Sequence, residues 1–334
     1  MKVGIYPATA PKKILAKAVD LLKKRRIGYQ ILDPKVELPT DLNFIFTLGS
    51  DREVLSLLQQ IRAAAKYPIL GITLKGAEGF LTEISIEQLE ETIDALLKKD
   101  FFISEQNRLK VESDGWIGYA LNDITLFSSR SGTLIEHTLL VDGEFVWRDY
   151  SDGVIVATPL GSTAYAMSAG GPLISPNTDV FVIVSVNSLD LTRRPLVINA
   201  NSKIELIQIT SRYSPELIID GYIRRKINDF VEIRKAKEPA KFVKLKNKET
   251  IFNKIYRKVK FAEEILSLPP SAKFILKILE YEGPLNQKDI IKLTMLPART
   301  VRYSLSLLLK KGLIKEKYAI ERDARQKIFY LAKE

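Results

Sequence analysis

The residues from 153 to 176 combine small hydroxyls, an aromatic ring, glycine and proline in an order suited to holding a ligand against the backbone. Residues 154–157 form a short apolar run typical of a buried strand. Beyond it, Ser162 and Thr163 offer hydrogen-bond donors and acceptors, and Tyr165 offers a ring face and a phenol. Glycine lets a backbone approach a ligand closely, so this loop is predicted to bind a nucleotide. The turn-forming residues are Pro159, Gly161, Gly170, Gly171 and Pro172.

A second candidate group, Gly49, Ser50 and Asp51, separates a predicted strand at 43–48 from a predicted helix at 52–66. In α/β sheets, ligands bind beyond the carboxyl ends of the strands. The first N–H groups of a helix and its dipole also favour a phosphate. Aspartate is equally common as an ordinary N-cap that has no further function. Both interpretations of this turn are open at this point.

Composition limits the chemistry. The chain has 334 residues, no cysteine and a single histidine, His137. Disulfides, thiolate nucleophiles, zinc-thiolate sites and histidine clusters are therefore excluded, and catalysis must use carboxylates, hydroxyls, cations or a bound metal. His137 lies in a predicted strand and is assigned no role. The longest apolar runs are strand-sized and the N-terminus lacks a signal-peptide pattern, so a cytoplasmic protein is expected.

The elements that must position these residues begin with an alternation of strand and helix. Strands are predicted at 3–6, 29–32 and 43–48, with helices at 13–26, 52–66 and 86–99. This alternation favours an open parallel sheet flanked by helices. From about 105 to 250 the pattern changes to many short strands, which predicts an all-β second domain containing an Asp142-Gly143 hairpin turn. Residues 235–260 predict a last strand followed by an amphipathic helix.

The C-terminal block carries most of the positive charge. Of the net charge of +11, residues 269–334 hold +7, from fourteen Lys and Arg against seven Asp and Glu. Three helices at 272–281, 287–293 and 298–311, then strands at 313–318 and 327–331, look like a winged helix-turn-helix. A polyanionic partner, double-stranded DNA, is predicted. A solvated charged face and a protein-contact module are the alternatives. The predicted DNA-binding residues are Arg299, Thr300, Arg302, Tyr303, Arg322, Arg325 and Lys327.

Four segments together resemble the NAD kinase family, in the same order along the chain. The first is Thr-Pro-Leu-Gly-Ser-Thr-Ala-Tyr at 158–165 with the following Ala-Gly-Gly-Pro. The others are Ala-Leu-Asn-Asp at 120–123, the Leu-x-x-Arg-Pro-Leu-Val-Ile segment at 191–198, and a glycine-rich loop containing Gly71, Gly76, Gly79, Phe80 and Leu81. The likeness covers roughly residues 1–262.

The resemblance implies a fold and a reaction. It implies a Rossmann-like α/β phosphate-donor domain at 1–104 and a β-rich NAD-binding domain at 105–262, whose C-terminal helix is expected to pack back on the first. The winged-helix domain at 269–334 is expected from its own sequence pattern. The implied reaction transfers a phosphoryl group from ATP or polyphosphate to the 2′-hydroxyl of the adenosine ribose of NAD. Mg²⁺ or another divalent cation would accompany the donor, and no protein metal ligand is predicted. A homodimer or homotetramer without membrane contact is expected.

The resemblance also implies roles for individual residues. Asp51 would be the general base, and Gly49, Ser50 and Arg52 would form the phosphate loop. Leu160 stands where threonine or serine is usual, which predicts one missing ligand hydrogen bond. The implied NAD-binding residues are Phe80, Asn122, Asp123, Asp152, Thr163, Ala164, Tyr165, Ser168 and Asp220.

One segment departs from the family pattern. The Gly-Gly-Asp-Gly phosphate loop appears here as Gly49-Ser50-Asp51-Arg52, followed by Glu53 where threonine is usual. Arg52 could block the approach of a phosphate to the backbone, or its guanidinium could grip that phosphate. The two versions predict different proteins, an active kinase or a catalytically inactive, NAD(P)-sensing transcriptional regulator. A lipid kinase of the wider superfamily is disfavoured by the 163–172 run.

Overall fold

The computed structural model of the chain describes residues 1–74, 79–246, 253–256, 260, 267–318 and 327–332. The first layer is a seven-stranded sheet. Its strands are β1 (Lys2–Tyr6), β2 (Gly28–Ile31), β3 (Phe44–Leu48), β4 (Pro68–Thr73), β5 (Thr82–Ser85), β6 (Phe101–Gln106) and β19 (Ala240–Leu245). The order is β2-β1-β3-β4-β19-β6, with β5 also paired to β4. Since β2 and β3 lie on opposite sides of β1, the chain reverses direction across the sheet there, and such a point is where open α/β sheets bind ligands.

Three helices cover this sheet: α1 (Lys12–Lys24), α2 (Asp51–Gln60) and α3 (Leu89–Leu97). The prediction of one helix over 52–66 was wrong at its second half. Ile61 leaves helical geometry at φ −122° and ψ 80°, and a 3₁₀ turn (Arg62–Lys66) follows. The break buries Ile61, Ala64 and Ala65 in the same core as β3 and β4, so tertiary packing overrides the helical propensity of the alanines.

The boundary of the second unit also differs from the expectation. Residues 240–245 were predicted within the all-β region, but β19 pairs parallel with β4 and antiparallel with β6 in the first sheet. The chain therefore returns to the first unit after building the second. The short strands β4 and β5 were not predicted, because the residues between 68 and 85 lack the alternation that marks a half-buried strand.

The second unit packs two six-stranded antiparallel sheets face to face. Inward residues of both sheets, among them Val111, Leu126 and Phe181, form one hydrophobic cluster. One sheet contains β7 (Leu109–Ser113), β8 (Trp116–Ala120), β10 (Ile135–Val141), β11 (Glu144–Ser151), β15 (Ile204–Ser211) and β18 (Phe230–Lys235), in the order β11-β10-β15-β18-β7-β8. The other contains β9 (Asp123–Ser128), β12 (Gly153–Ala157), β13 (Val180–Val186), β14 (Leu196–Asn199), β16 (Pro215–Ile219) and β17 (Ile223–Lys226), in the order β14-β13-β12-β9-β16-β17.

The predicted Asp142-Gly143 hairpin and the predicted strand that contains His137 are confirmed. Asp142 and Gly143 both have positive φ, 54° and 83°, as the tight turn between β10 and β11 requires. His137 is fully buried, and burial lowers its pKa to about 4, so it packs as a neutral ring. After β12, residues 161–163 form a 3₁₀ turn and α4 (Tyr165–Ser168) is a single helical turn.

The C-terminal unit has three helices around its own core. They are α5 (Pro270–Glu282), α6 (Gln287–Thr294) and α7 (Ala298–Lys310). The predicted cap of α6 is confirmed, since the Asn286 side chain accepts from the Asp289 N–H at 2.9 Å. The strands β20 (Leu285–Asn286), β21 (Ile314–Tyr318) and β22 (Lys327–Leu331) form a sheet in the order β20-β22-β21. The core includes Ile275, Leu279, Ile290, Val301, Leu305 and Leu308.

Three predictions fall on residues outside those described: Gly76, Arg322 and Arg325. Most of the amphipathic helix predicted after β19 also lies outside them, although residues 253–256 are helical. Within the described ranges, no helix is both long enough and apolar enough to cross a bilayer.

Candidate functional site

The carboxylate of Asp51 is held by the main chain of the glycine-rich loop that leads into β5. Asp51 is the first residue of α2 and directly follows the turn after β3. Its Oδ2 accepts the N–H of Phe80 at 2.7 Å, and its Oδ1 accepts the N–H groups of Leu81 and Thr82, each at 3.0 Å. A carboxylate offers about four lone-pair positions. The loop uses three of these, which fixes the direction of the group and leaves the fourth position without a bond to the loop.

The close approach of loop and carboxylate explains two glycines. A Cβ on Gly79 would lie 2.1 Å from Asp51 Oδ1, and a Cβ on Gly71 would lie 2.6 Å from the carbonyl oxygen of Leu81. Neither contact is possible, so only glycine allows the loop to close over Asp51. Phe80 is positioned by the loop and donates its own N–H to Asp51.

The departure from the family phosphate loop has a local structural explanation. Ser50 and Glu53 form a capping box at the start of α2: Glu53 Oε2 accepts from the N–H and Oγ of Ser50, each at 2.7 Å. Ser50 Oγ in turn accepts the Arg52 N–H at 3.3 Å. The Glu53 carboxylate therefore accepts hydrogen bonds from the Ser50 N–H and hydroxyl, which could otherwise donate to a phosphate. Gly49 is required here as well, because it has φ 149° and a Cβ would lie 2.5 Å from Glu53 Cγ.

A groove of about 650 Å³, here called the β9 groove, runs along β9 in the second unit. It brings together five of the predicted NAD-binding residues: Asn122, Asp123, Ala164, Tyr165 and Asp220. The Tyr165 ring stacks on Phe127, with centroids 6.0 Å apart and an interplanar angle of 26°. Such an exposed aromatic face suits a planar base. The remaining lining residues are Thr125, Phe127, Ser128, Ser129, Ser131, Ile218, Gly221 and Arg224.

Two buried carboxylates lie at one end of the β9 groove. Asp220 accepts the N–H groups of Leu121, Asn122 and Asp123 at 2.9, 2.7 and 3.2 Å. Burial raises the pKa of Asp220 despite these bonds. Burial, and then the charge of Asp220, raise the pKa of Asp123 to about 7. Near neutral pH, Asp123 therefore exists both as a carboxylate, which accepts hydrogen bonds, and as a carboxylic acid, which can also donate one.

The other predicted ligand residues lie outside the lining of this groove. Thr163 is buried and its Oγ1 donates to the Leu160 carbonyl at 3.0 Å. Ser168 is exposed on α4. Asp152 accepts from Asn187 Nδ2 at 2.8 Å, one residue before the point where β12 pairs with Phe127. Their roles toward a ligand stay predictions.

Leu160 belongs to the core. It is only 6% exposed and packs in one cluster with Leu57 and Leu58 of α2 and with Leu121. The side chain at this position thus joins the two units. The hydroxyl expected from the family pattern would be buried among apolar groups here, so leucine is explained by packing.

Helix α2 connects the two units through a network of polar side chains. Gln59 Nε2 donates to Asp220 Oδ2 and to the Tyr119 carbonyl, both at 2.8 Å. Tyr222 lies within hydrogen-bonding distance of Gln60 and of Ser56, and Tyr6 OH is 3.0 Å from Ser56 Oγ. Burial raises the pKa of Tyr6, so its phenol stays protonated and able to donate. Sequence reasoning missed Ser56, Gln59 and Gln60, because polar positions on a helix normally face solvent.

A second groove, of about 690 Å³, lies where β1 and β2 end, here called the crevice. Arg52 lines it and is exposed, and among the described residues its guanidinium has no hydrogen-bond or ion-pair partner. The neighbouring Asp51 side chain points instead to the glycine-rich loop, where it accepts three main-chain N–H groups. The lining residues are Tyr6, Pro7, Ala8, Thr9, Ile31, Leu32, Asp33, Pro34, Arg52, Glu53, Ser56, Gln60 and Tyr222.

Comparisons with known proteins follow the same division of the chain. Residues 11–101 match the family model described as the ATP-NAD kinase N-terminal domain, and residues 121–245 match the ATP-NAD kinase C-terminal domain. The NAD kinase of Methanopyrus kandleri is 34% identical over 215 residues, covering 63% of this chain and 77% of that protein. The NAD kinase of Caldicellulosiruptor saccharolyticus is 32% identical over 254 residues, covering 74% of this chain and 95% of that protein.

Solved structures share the fold. An NAD kinase from Archaeoglobus fulgidus, in complex with ATP, superimposes with a TM-score of 0.65 at 26% identity, covering 77% of this chain and 99% of that one. Yeast NADH kinase complexed with NADH gives a TM-score of 0.68 at 20% identity, over 78% of this chain and 88% of that one, and shows the likeness of fold alone.

Proposed function

The chain belongs to the NAD kinase family, and we propose that it transfers a phosphoryl group to the 2′-hydroxyl of the adenosine ribose of NAD, giving NADP. The observation that carries this proposal is helix α2, which begins at Asp51 and carries in its last turn Gln59, bonded to Asp220. A helix rises about 1.5 Å per residue, so ~12 Å along the axis separates Asp51 from Gln59. A dinucleotide held in the β9 groove and lying along α2 would reach Asp51.

In the proposed complex, the adenine occupies the β9 groove, and its ribose extends from the groove along α2 so that the 2′-hydroxyl approaches Asp51. Tyr165 and Phe127 supply ring faces, and Asn122 and Asp123 supply partners for ribose hydroxyls or base edges. The main-chain N–H groups around Asp220 are already used, so Asp220 acts by shaping the turn that presents Asn122 and Asp123. Phe80, Asp152, Thr163 and Ser168 complete the proposed site on the strength of the family resemblance.

Asp51 is the proposed general base. Its carboxylate keeps one lone-pair position outside the three loop bonds, and the loop fixes its direction. It would accept the proton of the ribose hydroxyl while that oxygen bonds to the terminal phosphorus of the donor, and the bond from this phosphorus to the bridging oxygen breaks to release ADP or the shortened polyphosphate. The divalent cation would bind mainly to phosphate oxygens of the donor, because Mg²⁺ usually takes few protein ligands and the nearest carboxylates are committed to main-chain or capping bonds.

The crevice is the proposed donor site, which supports a gripping role for Arg52. An exposed, unpartnered guanidinium beside a groove can bind a phosphate bidentately. Arg52 is the one Lys or Arg in the lining, whereas Asp33 and Glu53 are both acidic. A long polyphosphate would place more negative charge against this net acidic lining than the three phosphates of ATP would. ATP is therefore favoured over polyphosphate as the donor.

The assay for this proposal uses the purified full chain with Mg²⁺, NAD, and either ATP or polyphosphate, with NADP measured by an NADP-specific dehydrogenase. We expect NADP from ATP, and a fall in kcat of about 100-fold or more for Asp51→Asn with NAD binding retained. Absence of NADP with both donors, while calorimetry still shows NAD binding, would favour the inactive, dinucleotide-sensing regulator.

For the C-terminal unit we propose a winged helix-turn-helix that binds double-stranded DNA. Arg299, Arg302 and Tyr303 are exposed on the first turns of α7, and Thr300 is half-buried beside them. These are the positions from which a recognition helix contacts bases. Lys327 is exposed at the start of β22 but pairs with Glu316 at 2.7 Å, so it would contribute less. Arg322 and Arg325 stay predictions from the sequence.

Duplex binding by the full chain tests this second function. A mobility shift that weakens steeply with salt is expected, and Arg302→Ala should weaken binding more than Arg148→Ala, an exposed arginine of β11. Equal effects of the two variants, or no shift at low salt, would favour a protein-contact role. A homodimer or homotetramer is also proposed, supported by the exposed apolar side chains Phe145, Leu189 and Leu191.

A further inference from the structure

The glycine-rich loop that binds Asp51 is held from its other side by a lysine. Lys254 is 7% exposed, and its Nζ donates to the carbonyl oxygens of Gly79 at 2.8 Å and Thr82 at 3.1 Å. These two residues flank the N–H groups of Phe80 and Leu81, which point to Asp51. The loop therefore lies between the Asp51 carboxylate, which accepts hydrogen bonds from its N–H groups, and the Lys254 ammonium, which donates hydrogen bonds to its carbonyl oxygens.

The two sets of contacts have the same polarity. Peptide dipoles between a negative and a positive group are stabilised when their N–H ends face the anion and their carbonyl ends face the cation. The peptide between Gly79 and Phe80 has this arrangement, because its carbonyl accepts from Lys254 and its N–H donates to Asp51. Loss of the ammonium would leave buried carbonyls without that partner, which costs more than an ordinary surface bond. The loop would then be free to rotate its N–H groups away from Asp51.

Lys254 reaches this loop from a distant part of the chain. It lies after β19, the strand that returns to the first sheet, and before Pro270, where the C-terminal unit begins its first helix. The contact thus joins the connection to the C-terminal unit with the loop that directs Asp51. Among the described residues, no other lysine donates to the carbonyl of Gly79 or Thr82.

We infer that Lys254 is a positioning residue for phosphoryl transfer: it fixes the glycine-rich loop so that the Asp51 carboxylate is held in its working direction. The inference rests on the proposed kinase function, since it assigns Lys254 to that same site. The effect is expected on the chemical step rather than on NAD affinity, because Lys254 contacts the loop and does not line the β9 groove.

The test compares Lys254→Met, Lys254→Arg and the control Lys241→Met in the full chain. Lys241 lies on β19 and pairs loosely with Glu105 at 3.9 Å, so its loss removes a charge without touching the loop. We expect Lys254→Met to lower kcat about 100-fold while KM for NAD changes about threefold or less. Lys254→Arg should recover part of the rate, and Lys241→Met should match wild type.

Hydrogen exchange supplies a readout that does not depend on activity. The amides of residues 80–82 should exchange at least about tenfold faster in Lys254→Met, with exchange of β3 unchanged. In an Asp51→Asn background, Lys254→Met should lower kcat little further, since the two residues act as one unit. Wild-type rate in Lys254→Met, or full additivity with Asp51→Asn, would overturn the inference. If the wild-type protein makes no NADP, the kinase proposal fails. Separately, unchanged amide exchange at residues 80–82 in Lys254→Met would show that Lys254 does not fix the glycine-rich loop.

Discussion

Gln59 Nε2 lies 2.8 Å from Asp220 Oδ2, and this contact joins the last turn of α2 to the acidic turn of the second unit. The same amide donates to the carbonyl of Tyr119, so one side chain holds two points of the β-rich unit. The helix that presents Asp51 at its first residue thereby sets the position of Asn122 and Asp123 through its last turn.

Replacing Gln59 by methionine should weaken NAD binding without changing the chemistry at Asp51. Asp220 would lose one of its partners in a buried site, a cost of about 1–3 kcal/mol. KM for NAD is therefore expected to rise with little change in kcat, and urea unfolding should show a lower free energy of unfolding. Gln59→Glu should be worse, because a second carboxylate would face Asp220. Wild-type KM in both variants would show that the contact is incidental.

Replacing Leu160 by threonine distinguishes a core position from a ligand position. Leu160 is buried against α2, so the change removes apolar contacts and buries a hydroxyl. The free energy of unfolding should fall by about 3 kcal/mol, with no gain in NAD affinity. Val36→Thr is the control, since Val36 is 58% exposed in the loop between β2 and β3 and the change should alter stability by about 0.5 kcal/mol or less. Tighter NAD binding in Leu160→Thr would instead show that the side chain faces the ligand.

The titration of Asp123 should be visible in the pH dependence of stability. Its pKa is raised from an ordinary value of 3.8 to about 7, so the native state binds a proton more tightly than the unfolded state. Its contribution to stability is fully present below about pH 4 and is lost as pH rises through 7. Urea unfolding between pH 5 and 8 should therefore show a downward slope that is shallower in Asp123→Asn.

Asp220→Asn gives a second check on the same group. Without the neighbouring negative charge, Asp123 should titrate at lower pH, and the downward slope should move in that direction. An identical profile in wild type and Asp123→Asn would exclude Asp123 as the source.

Arg52→Gly restores the glycine that the family phosphate loop has at this position. If the guanidinium grips the donor, KM for ATP should rise about tenfold or more, as expected for loss of a charge-assisted contact. Arg52→Lys should recover only part of the affinity, because an ammonium cannot form the bidentate contact. Higher kcat in Arg52→Gly, with KM for ATP unchanged, would identify the arginine as an obstruction.

Much of this protein is determined by local sequence. Strand and helix alternation in the first hundred residues, the Asp142-Gly143 hairpin, the Asn286 cap and the order of the C-terminal elements all follow from patterns within a few residues. The segments at 120–123 and 158–165 similarly predict a nucleotide site, because glycines, hydroxyls and an aromatic ring are closely spaced there. Such signals are local because dihedral preferences, capping and turn chemistry act over a few residues.

Only the tertiary structure determined which segments that are distant in sequence contact each other. It brought Gln59 to Asp220, Lys254 to Gly79, and Leu160 into the core beneath α2, contacts separated by about a hundred residues or more. It also returned β19 to the first sheet and broke the second helix at Ile61. These outcomes depend on packing and on the satisfaction of buried polar groups across the whole chain, which no local pattern encodes.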